Sequence, residues 1–226
     1  MLFVGIDIAQ KQTGFSIVND KGEAVFSTNF GREVPNESYG KNIPDFIKNA
    51  EQRKLWDKYL TEFGKEDQIG MVVCEGPDYG SSNITQISIG SIHGVLWDYL
   101  YKNNFNFAIV TPKSVNYAIF GTAKDITKQR TINEMKIRFP NIKIRDSNMA
   151  DSLAMAHLAR KFFELLNGGA ELTPGEKEVL ASKAKLKGEP KGLIYKHGIK
   201  YVLLNKEVFK WHEKGQQLPE FLSAAK

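Results

Sequence analysis

Three carboxylates and one amide are the side chains best suited to do chemistry in this chain. Asp7 and Glu75 each end an apolar run, LFVGID and IGMVVCE. Asp151 lies near the start of a segment rich in small residues, with Asn148 three positions before it and therefore on the same helical face. An acid within an apolar strand is costly to bury unless it meets a cation or hydrogen-bond donors. Oxygen ligands from separate elements suit Mg²⁺ or Mn²⁺, and two such ions could promote phosphodiester hydrolysis.

The elements that must position these residues follow from the periodicity of the apolar side chains. Short alternating runs separated by turn residues predict an antiparallel meander at the start of the chain. Apolar spacing of three and four residues predicts the helices that follow. In chain order we predict strands over 2–8, 14–18 and 24–28, a helix over 44–63, a strand over 68–75, a helix over 84–102, a strand over 105–110, and helices over 113–120, 127–139 and 146–166.

This order of elements predicts an α/β fold. Strands that are joined through helices pair in parallel, so a meander followed by such strands gives a mixed five-stranded sheet with helices on its faces. A sheet with this order of elements and an acid on its first strand resembles the ribonuclease H-like fold. Such a fold would bring Glu75 and Asp151 beside Asp7.

The last part of the chain is predicted to be a small basic α+β extension. Residues 168–226 contain eleven Lys and no Arg against seven acids, which leaves little of the net charge of +5 for residues 1–167. Thr173 to Glu176 has the form of a capping box that starts a helix to about residue 187. We further predict a hairpin from 193–195 and 199–204 and a helix over 205–214. The domains are then 1–167 and 168–226.

Composition limits the class of protein without identifying a partner. The hydrophobic fraction of 42% suits a globular fold with a substantial core. The single Cys74 permits no internal disulfide, and neither a signal peptide nor a long apolar segment is visible. We therefore expect a soluble protein of a reducing compartment. The pI of about 9.1 favours polyanionic partners.

Three segments together resemble the RuvC family of Holliday junction resolvases. GIDIAQKQTGFSIV resembles the family's opening strand, VVCEGPDYG its second acidic strand, and NMADSLAMAHLA the helix that carries its last acids. The resemblance covers residues 1–166 and implies that Asp7, Glu75 and Asp151 ligate Mg²⁺, replaceable by Mn²⁺, with two ions per site. A fourth family acid stands where this chain has Asn148. An amide oxygen brings no charge, so one ion is expected to bind more weakly, or Asp146 contributes.

The resemblance also implies contacts to branched DNA. The family inserts an aromatic side chain into the opened junction, and Tyr79 is the nearest candidate, although a surface loop aromatic is the commoner role. Two symmetric cuts imply a homodimer, for which the helix around residues 91–99 is the predicted interface. The cut ends would be a 5′-phosphate and a 3′-hydroxyl. Basic side chains on and just before the predicted helix over 127–139 would contact phosphates, or form an ordinary solvated face: Lys124, Lys128, Arg130, Lys136 and Arg138.

Three alternatives remain open from the sequence. A small-molecule kinase of the actin-like superfamily also has a G-I-D strand and a nearby Thr-Gly, but it needs a second glycine-rich phosphate strand, which is not found, and it gives Glu75 no role. A non-catalytic protein that only binds branched DNA would explain Asn148. A ribonuclease H-like enzyme with another substrate, such as RNA, uses the same acids. The nuclease prediction places the chain in recombination or replication, in the cytoplasm of a bacterial or phage-infected cell. Its divergence from the family and its basic tail favour a bacteriophage.

Overall fold

A computed structural model describes residues 1–8, 12–31, 45–76, 83–180, 199–204 and 207–210. Within these ranges, one mixed sheet lies between two layers of helices. No helix of the described part is both long and apolar enough to cross a membrane. The strands are β1 Leu2–Asp7, β2 Gln12–Asn19, β3 Ala24–Gly31, β4 Ile69–Glu75, β5 Phe107–Val110, β6 Ile199–Leu204 and β7 Glu207–Lys210. The helices are α1 Asp45–Glu66, α2 Asn83–Lys102, α3 Pro112–Phe120, α4 Lys128–Arg138, α5 Ser147–Leu166 and α6 Pro174–Leu180.

The sheet has the strand order β3-β2-β1-β4-β5-β6-β7. β1, β2 and β3 form the antiparallel meander, and β4 pairs in parallel with both β1 and β5. The predicted mixed five-stranded sheet of the ribonuclease H-like fold is therefore confirmed. Beyond those five strands, β6 pairs antiparallel with β5, and β7 pairs antiparallel with β6.

Alternate residues of the central strands face the two helical layers. Phe3 and Val73 belong to the buried cluster that contains the apolar side chains of α3, α4, α5 and α6. Val4 belongs to the cluster under α1 and α2. Because side-chain direction along a strand has a period of two, Asp7 and Glu75 share the face of Phe3 and Val73. Both acids therefore point to the side of the sheet that α5 covers.

Helix α5 lies unusually close to β1 and β2. A Cβ atom added to Gly5 would lie 2.0 Å from the carbonyl oxygen of Ser152, and one added to Gly14 would lie 2.0 Å from that of Asn148. Larger residues at these glycines would therefore displace the helix. Gly14 is also the antiparallel partner of Asp7. The N-terminal turns of α5 consequently lie directly over the end of β1 that carries the acid.

The C-terminal elements differ from the prediction. Residues 207–210 form strand β7, so the predicted helix over 205–214 is wrong there. Among the described residues, β6, which is one half of the predicted hairpin, pairs with β5 on one side and with β7 on the other. Residues 193–195 themselves lie outside the described residues. A stretch as short as Glu207 to Lys210 carries little periodicity of its own, so the backbone partner that β6 offers decides its conformation.

Helix α6 ties the start of the predicted extension to the rest of the fold. It covers the first half of the predicted helix over 173–187, and residues 181–187 lie outside the described part. A Cβ atom on Gly175 would lie 2.5 Å from the carbonyl oxygen of Tyr117, so α6 rests directly on α3. The predicted division of the chain at residue 167 stays a prediction.

Candidate metal centre

The register of β1 and β4 brings the first two acids together. Ile6 pairs with Cys74 in the parallel ladder, so the next residues, Asp7 and Glu75, are neighbours at the carboxyl ends of the two strands. Asp7 is 7% exposed, whereas Glu75 is half-buried. Burial raises the pKa of Asp7, and a side-chain hydrogen bond with Glu75 acts in the opposite direction. The two carboxyl groups are thus in direct contact.

Helix α5 brings the third acid to the same place. Asp151 follows Asn148 by one helical turn and lies next to Ser152, whose carbonyl oxygen approaches Gly5 of β1. Burial is the main cause that raises the pKa of Asp151 to about 7, and the negative charge of Asp7 raises it further. Asp151, Asp7 and Glu75 line one cavity of about 560 Å³. The three acids therefore share one cavity, and their role as metal ligands stays a prediction.

The two candidates for the fourth ligand have different surroundings. Asn148 lines the cavity, and its amide nitrogen is 3.4 Å from both the carbonyl oxygen and the Oε1 atom of Gln12. The amide oxygen of Asn148 is the atom that could meet a cation. Asp146 is the N-cap of α5: its Oδ1 accepts a hydrogen bond from the Met149 amide at 3.0 Å, and its Oδ2 accepts one from the Asn29 side chain. Its oxygens already have these donors.

Positive charge and helix N-termini surround the acids. Pro112, Lys128 and Asn148 stand in the first turns of α3, α4 and α5, and all three line the cavity. The N-terminus of a helix carries a partial positive charge and unpaired amide groups, so it attracts anions such as phosphate. The charge of Lys128 lowers the pKa of both Asp7 and Asp151. The site can therefore hold cations on its acids and an anionic group nearby.

Two further residues at this site were not predicted from the sequence. His93 of α2 is buried and close enough to Asp7 for their charges to interact. Burial lowers the pKa of His93, whereas the backbone carbonyls of Ile89 and Glu75 raise it. Asn116 of α3 lines the cavity. Spacing along the chain gives no signal for either, because only the packing of α2 and α3 at the carboxyl edge of the sheet brings them there.

The predicted DNA-contacting residues separate into distinct groups. Lys128 lines the cavity, and Lys124 is exposed in the segment before α4. The guanidinium of Arg130 lies 4.9 Å from the centre of the Phe120 ring, and it does not line the cavity. Arg138 contacts Glu134 and the Ile119 carbonyl. The remaining two candidates are Lys136, which is exposed, and Tyr79, which lies outside the described residues.

The donor set suits a hard divalent cation by type. Carboxylates from β1, β4 and α5, with one amide oxygen, are the ligands that Mg²⁺ and Mn²⁺ prefer. Their burial and mutual repulsion raise the pKa of Asp7 and Asp151, and a cation would relieve both costs. Among the described residues, no group of three His, Cys, Asp or Glu side chains is already arranged as a metal cage.

Solved structures share the fold of this chain. Thermus thermophilus RuvC superposes with a TM-score of 0.58 at 17% identity, over 76% of this chain and all of that one. T. thermophilus RuvC in complex with a Holliday junction substrate gives 0.56 at 15% identity, over 76% and 99%. The yeast mitochondrial Holliday junction resolvase Ydc2 gives 0.46 at 13%, over 68% and 75%. No family model and no curated protein sequence matches. The two Thermus structures thus show that the chain has a RuvC-like fold.

Proposed function

We propose that this protein is a metal-dependent, structure-selective endonuclease that cuts Holliday junctions or related branched DNA. One observation carries the proposal: a RuvC-like fold brings Asp7, Glu75 and Asp151 into a single cavity. Burying a carboxylate cluster of this kind lowers the stability of the folded protein, so such clusters are typical of functional sites. One of the structural neighbours is bound to a Holliday junction, which favours branched DNA over other phosphodiesters.

The residues of the cavity have separate roles in this proposal. Asp7, Glu75 and Asp151 would hold Mg²⁺ or Mn²⁺, with Asn148 contributing a neutral oxygen. When bound, the metal would polarise the phosphodiester and activate water for attack. Lys128 and the N-termini of α3 and α4 would hold the phosphate against the acids and offset its charge. The protein itself supplies no covalent nucleophile in this scheme.

Contacts farther along the DNA are proposed for exposed residues. Lys124 is exposed close to Lys128 in the chain, so it can meet the phosphate backbone outside the cavity. Arg130 would contact DNA through the edge of its guanidinium that is not stacked on Phe120. Tyr79 remains the proposed aromatic wedge at the junction centre.

A homodimer would supply the two active sites that symmetric cutting of a junction requires. Residues Phe46, Asn49, Ser91 and Val95 line a groove between α1 and α2, and Phe46 is 73% exposed. An exposed aromatic side chain beside such a groove favours a protein contact there. We therefore place the dimer interface on α2 around residues 91–99, together with the start of α1.

The decisive experiment is cleavage of a synthetic four-way junction by the full chain in Mg²⁺ and in Mn²⁺. Asp7→Asn should lower the cleavage rate by about 10²-fold or more, because it removes a negative charge that would bind the metal. Junction binding should be retained, because the side chain keeps its size. Asp20→Asn is the matched control, since Asp20 is exposed in the turn that follows β2, outside the cavity and the proposed interface.

The same preparations distinguish the alternatives. Junction, flap, duplex and RNA–DNA hybrid substrates in one competition assay would show which nucleic acid is preferred. If the wild-type protein binds junctions but does not cut them in either metal, the result would support a non-catalytic role. Full activity of the Asp7→Asn variant would contradict the metal-dependent mechanism. Sedimentation velocity should give about twice the chain mass of 25.5 kDa. A monomer would contradict the dimer alone.

A further inference from the structure

The cavity that holds the acids has a second wall of a different character. Besides the carboxylates, the cavity is lined by apolar side chains from α2, from α3 and from the segment before α4, which we call the apolar wall: Ile89, Pro112, Val115 and Ile126. A metal ion and a phosphodiester group need only polar partners, so they leave this wall unused. An apolar surface that adjoins a phosphate site suits a group attached to that phosphate.

One polar side chain stands on the apolar wall. Asn116 follows Pro112 by four residues, so both project from the same face of α3. In the described part of the chain, the side chain of Asn116 makes no hydrogen bond, and it lines the cavity while Val115 beside it is buried. Its amide offers a donor and an acceptor side by side. Such a group in an apolar surface is suited to fix the orientation of a planar polar ligand.

Helix α3 holds this amide in a fixed position. The Thr111 side chain caps its start by accepting a hydrogen bond from the Ser114 amide, and Gly121 ends it with φ 68°. β5, which pairs with β4 at Glu75, leads directly into the helix. Gly175 of α6 contacts the backbone of α3 from outside. The apolar wall and the acid wall therefore belong to one packed body, and their separation is set by the sheet.

These features match the chemistry of a nucleobase. A base has an apolar face that packs on aliphatic or aromatic side chains, and an edge of donors and acceptors. An asparagine amide pairs in bidentate fashion with the edge of adenine. The cavity volume of about 560 Å³ lies within the range of small-ligand sites. Enzymes acting on nucleic acid can hold a base out of its stack in such a pocket.

We propose that the apolar wall is a subsite for one unstacked nucleobase next to the phosphate that is cut, and that Asn116 reads the edge of this base, with a preference for adenine. The inference rests on the proposed nuclease function and adds to it a local source of sequence preference. Apolar packing of the base against α3 would position the adjoining phosphate between Lys128 and the acids.

The test compares junctions in which each nucleotide beside the mapped cut is replaced, one at a time, by an abasic residue. With wild-type protein, one such replacement should lower kcat/KM by about tenfold or more, because stacking and edge contacts are lost. Asn116→Ala should lower kcat/KM for the intact junction to a similar degree. On that abasic junction, the variant and the wild-type protein should have the same kcat/KM, because the base that Asn116 contacts is already missing. Asn133→Ala, an exposed asparagine of α4, is the matched control.

A second variant keeps the test independent of overall activity. Asn116→Asp retains the size of the side chain but offers only acceptors when ionised, so the ratio of rates between adenine and cytosine at that position should shift toward cytosine. The subsite is overturned if no abasic replacement changes kcat/KM, or if Asn116→Ala slows intact and abasic junctions equally. Wild-type protein that cuts no junction overturns the nuclease proposal as well, so the two failures are distinguishable.

Discussion

At the scale of single residues, the site is defined by carboxylates that are buried without enough positive charge around them. Burial is the main reason why the pKa values of Asp7 and Asp151 are raised. Lys128 is the basic side chain of the cavity, and it lowers both pKa values. A residue in this position can neutralise the phosphate as well as the acids, so its removal should affect cutting more than binding.

Lys128→Ala should therefore lower the rate of junction cleavage by about 10²-fold, with a smaller loss of affinity, because a preorganised charge next to the reacting group stabilises the transition state more than the complex. Lys65→Ala is the matched control, since Lys65 is exposed in the last turn of α1, away from the cavity lining. Single-turnover cleavage and binding titrations measure the two effects separately. Equal losses of cleavage in the two variants would contradict a specific role for Lys128.

At the scale of elements, the distance between α5 and the sheet decides whether the third acid reaches the other two. Gly5 allows this approach, because a side chain there would collide with the backbone of Ser152 and Ala156. The small residues of α5 complete the contact on the helix side. The period of two along β1 then places Asp7 on the same face as Gly5.

Gly5→Ala should lower the free energy of unfolding by about 1–3 kcal/mol and reduce cleavage, because the added Cβ would lie 2.0 Å from the carbonyl oxygen of Ser152 and push α5 outward. Gly64→Ala in α1 is the matched control. Its added Cβ would make only an ordinary contact, 3.8 Å from Cδ1 of Ile69, and alanine in a helix should raise stability by up to about 1 kcal/mol. Urea denaturation measures both changes. Unchanged stability of Gly5→Ala would refute the close approach.

At the scale of the whole molecule, residues beyond 167 are joined to the body by a buried polar contact. Nε2 of His157 on α5 lies 2.6 Å from Oε1 of Glu176 on α6, and Oε2 of Glu176 accepts the Thr173 amide at 2.8 Å. Burial alone would raise the pKa of Glu176, but the hydrogen bonds with His157 and Thr173 lower it to about 2. The ionised form of Glu176 therefore stabilises the folded chain.

Glu176→Gln should lower the free energy of unfolding by about 2 kcal/mol at pH 7, because it removes a charged acceptor from a buried pair. The folded pKa is below the ordinary value of 4.5, so this contribution is present above pH 4.5 and is lost as the pH falls toward 2. Denaturant titrations at several pH values measure the difference, with the exposed Glu171→Gln as control. A difference that persists at the lowest pH would contradict the role of the charge.

The sequence by itself determined the order of elements up to residue 166 and singled out the three acids. Apolar runs that end in Asp7 and Glu75 specify buried strands, and small residues after Asp151 specify a helix that can lie close to a sheet. These are local patterns, which is why they can be recognised along one chain. The same patterns predicted the mixed sheet, and the segments that contain the acids carry the resemblance to the RuvC family.

Only the tertiary structure decided which residues share the cavity and which C-terminal residues add strands to the sheet. Register and helix packing brought His93 and Asn116 to the acids, gave Lys128 rather than Arg130 a place beside them, and assigned Asp146 to the cap of α5. Residues 207–210 became a strand because β6 offered backbone partners. For His93, Asn116 and Lys128 the physical reason is packing between residues far apart in sequence, which no local periodicity encodes. Asp146 and residues 207–210 were decided by hydrogen-bond partners, which the spacing of apolar side chains does not reveal.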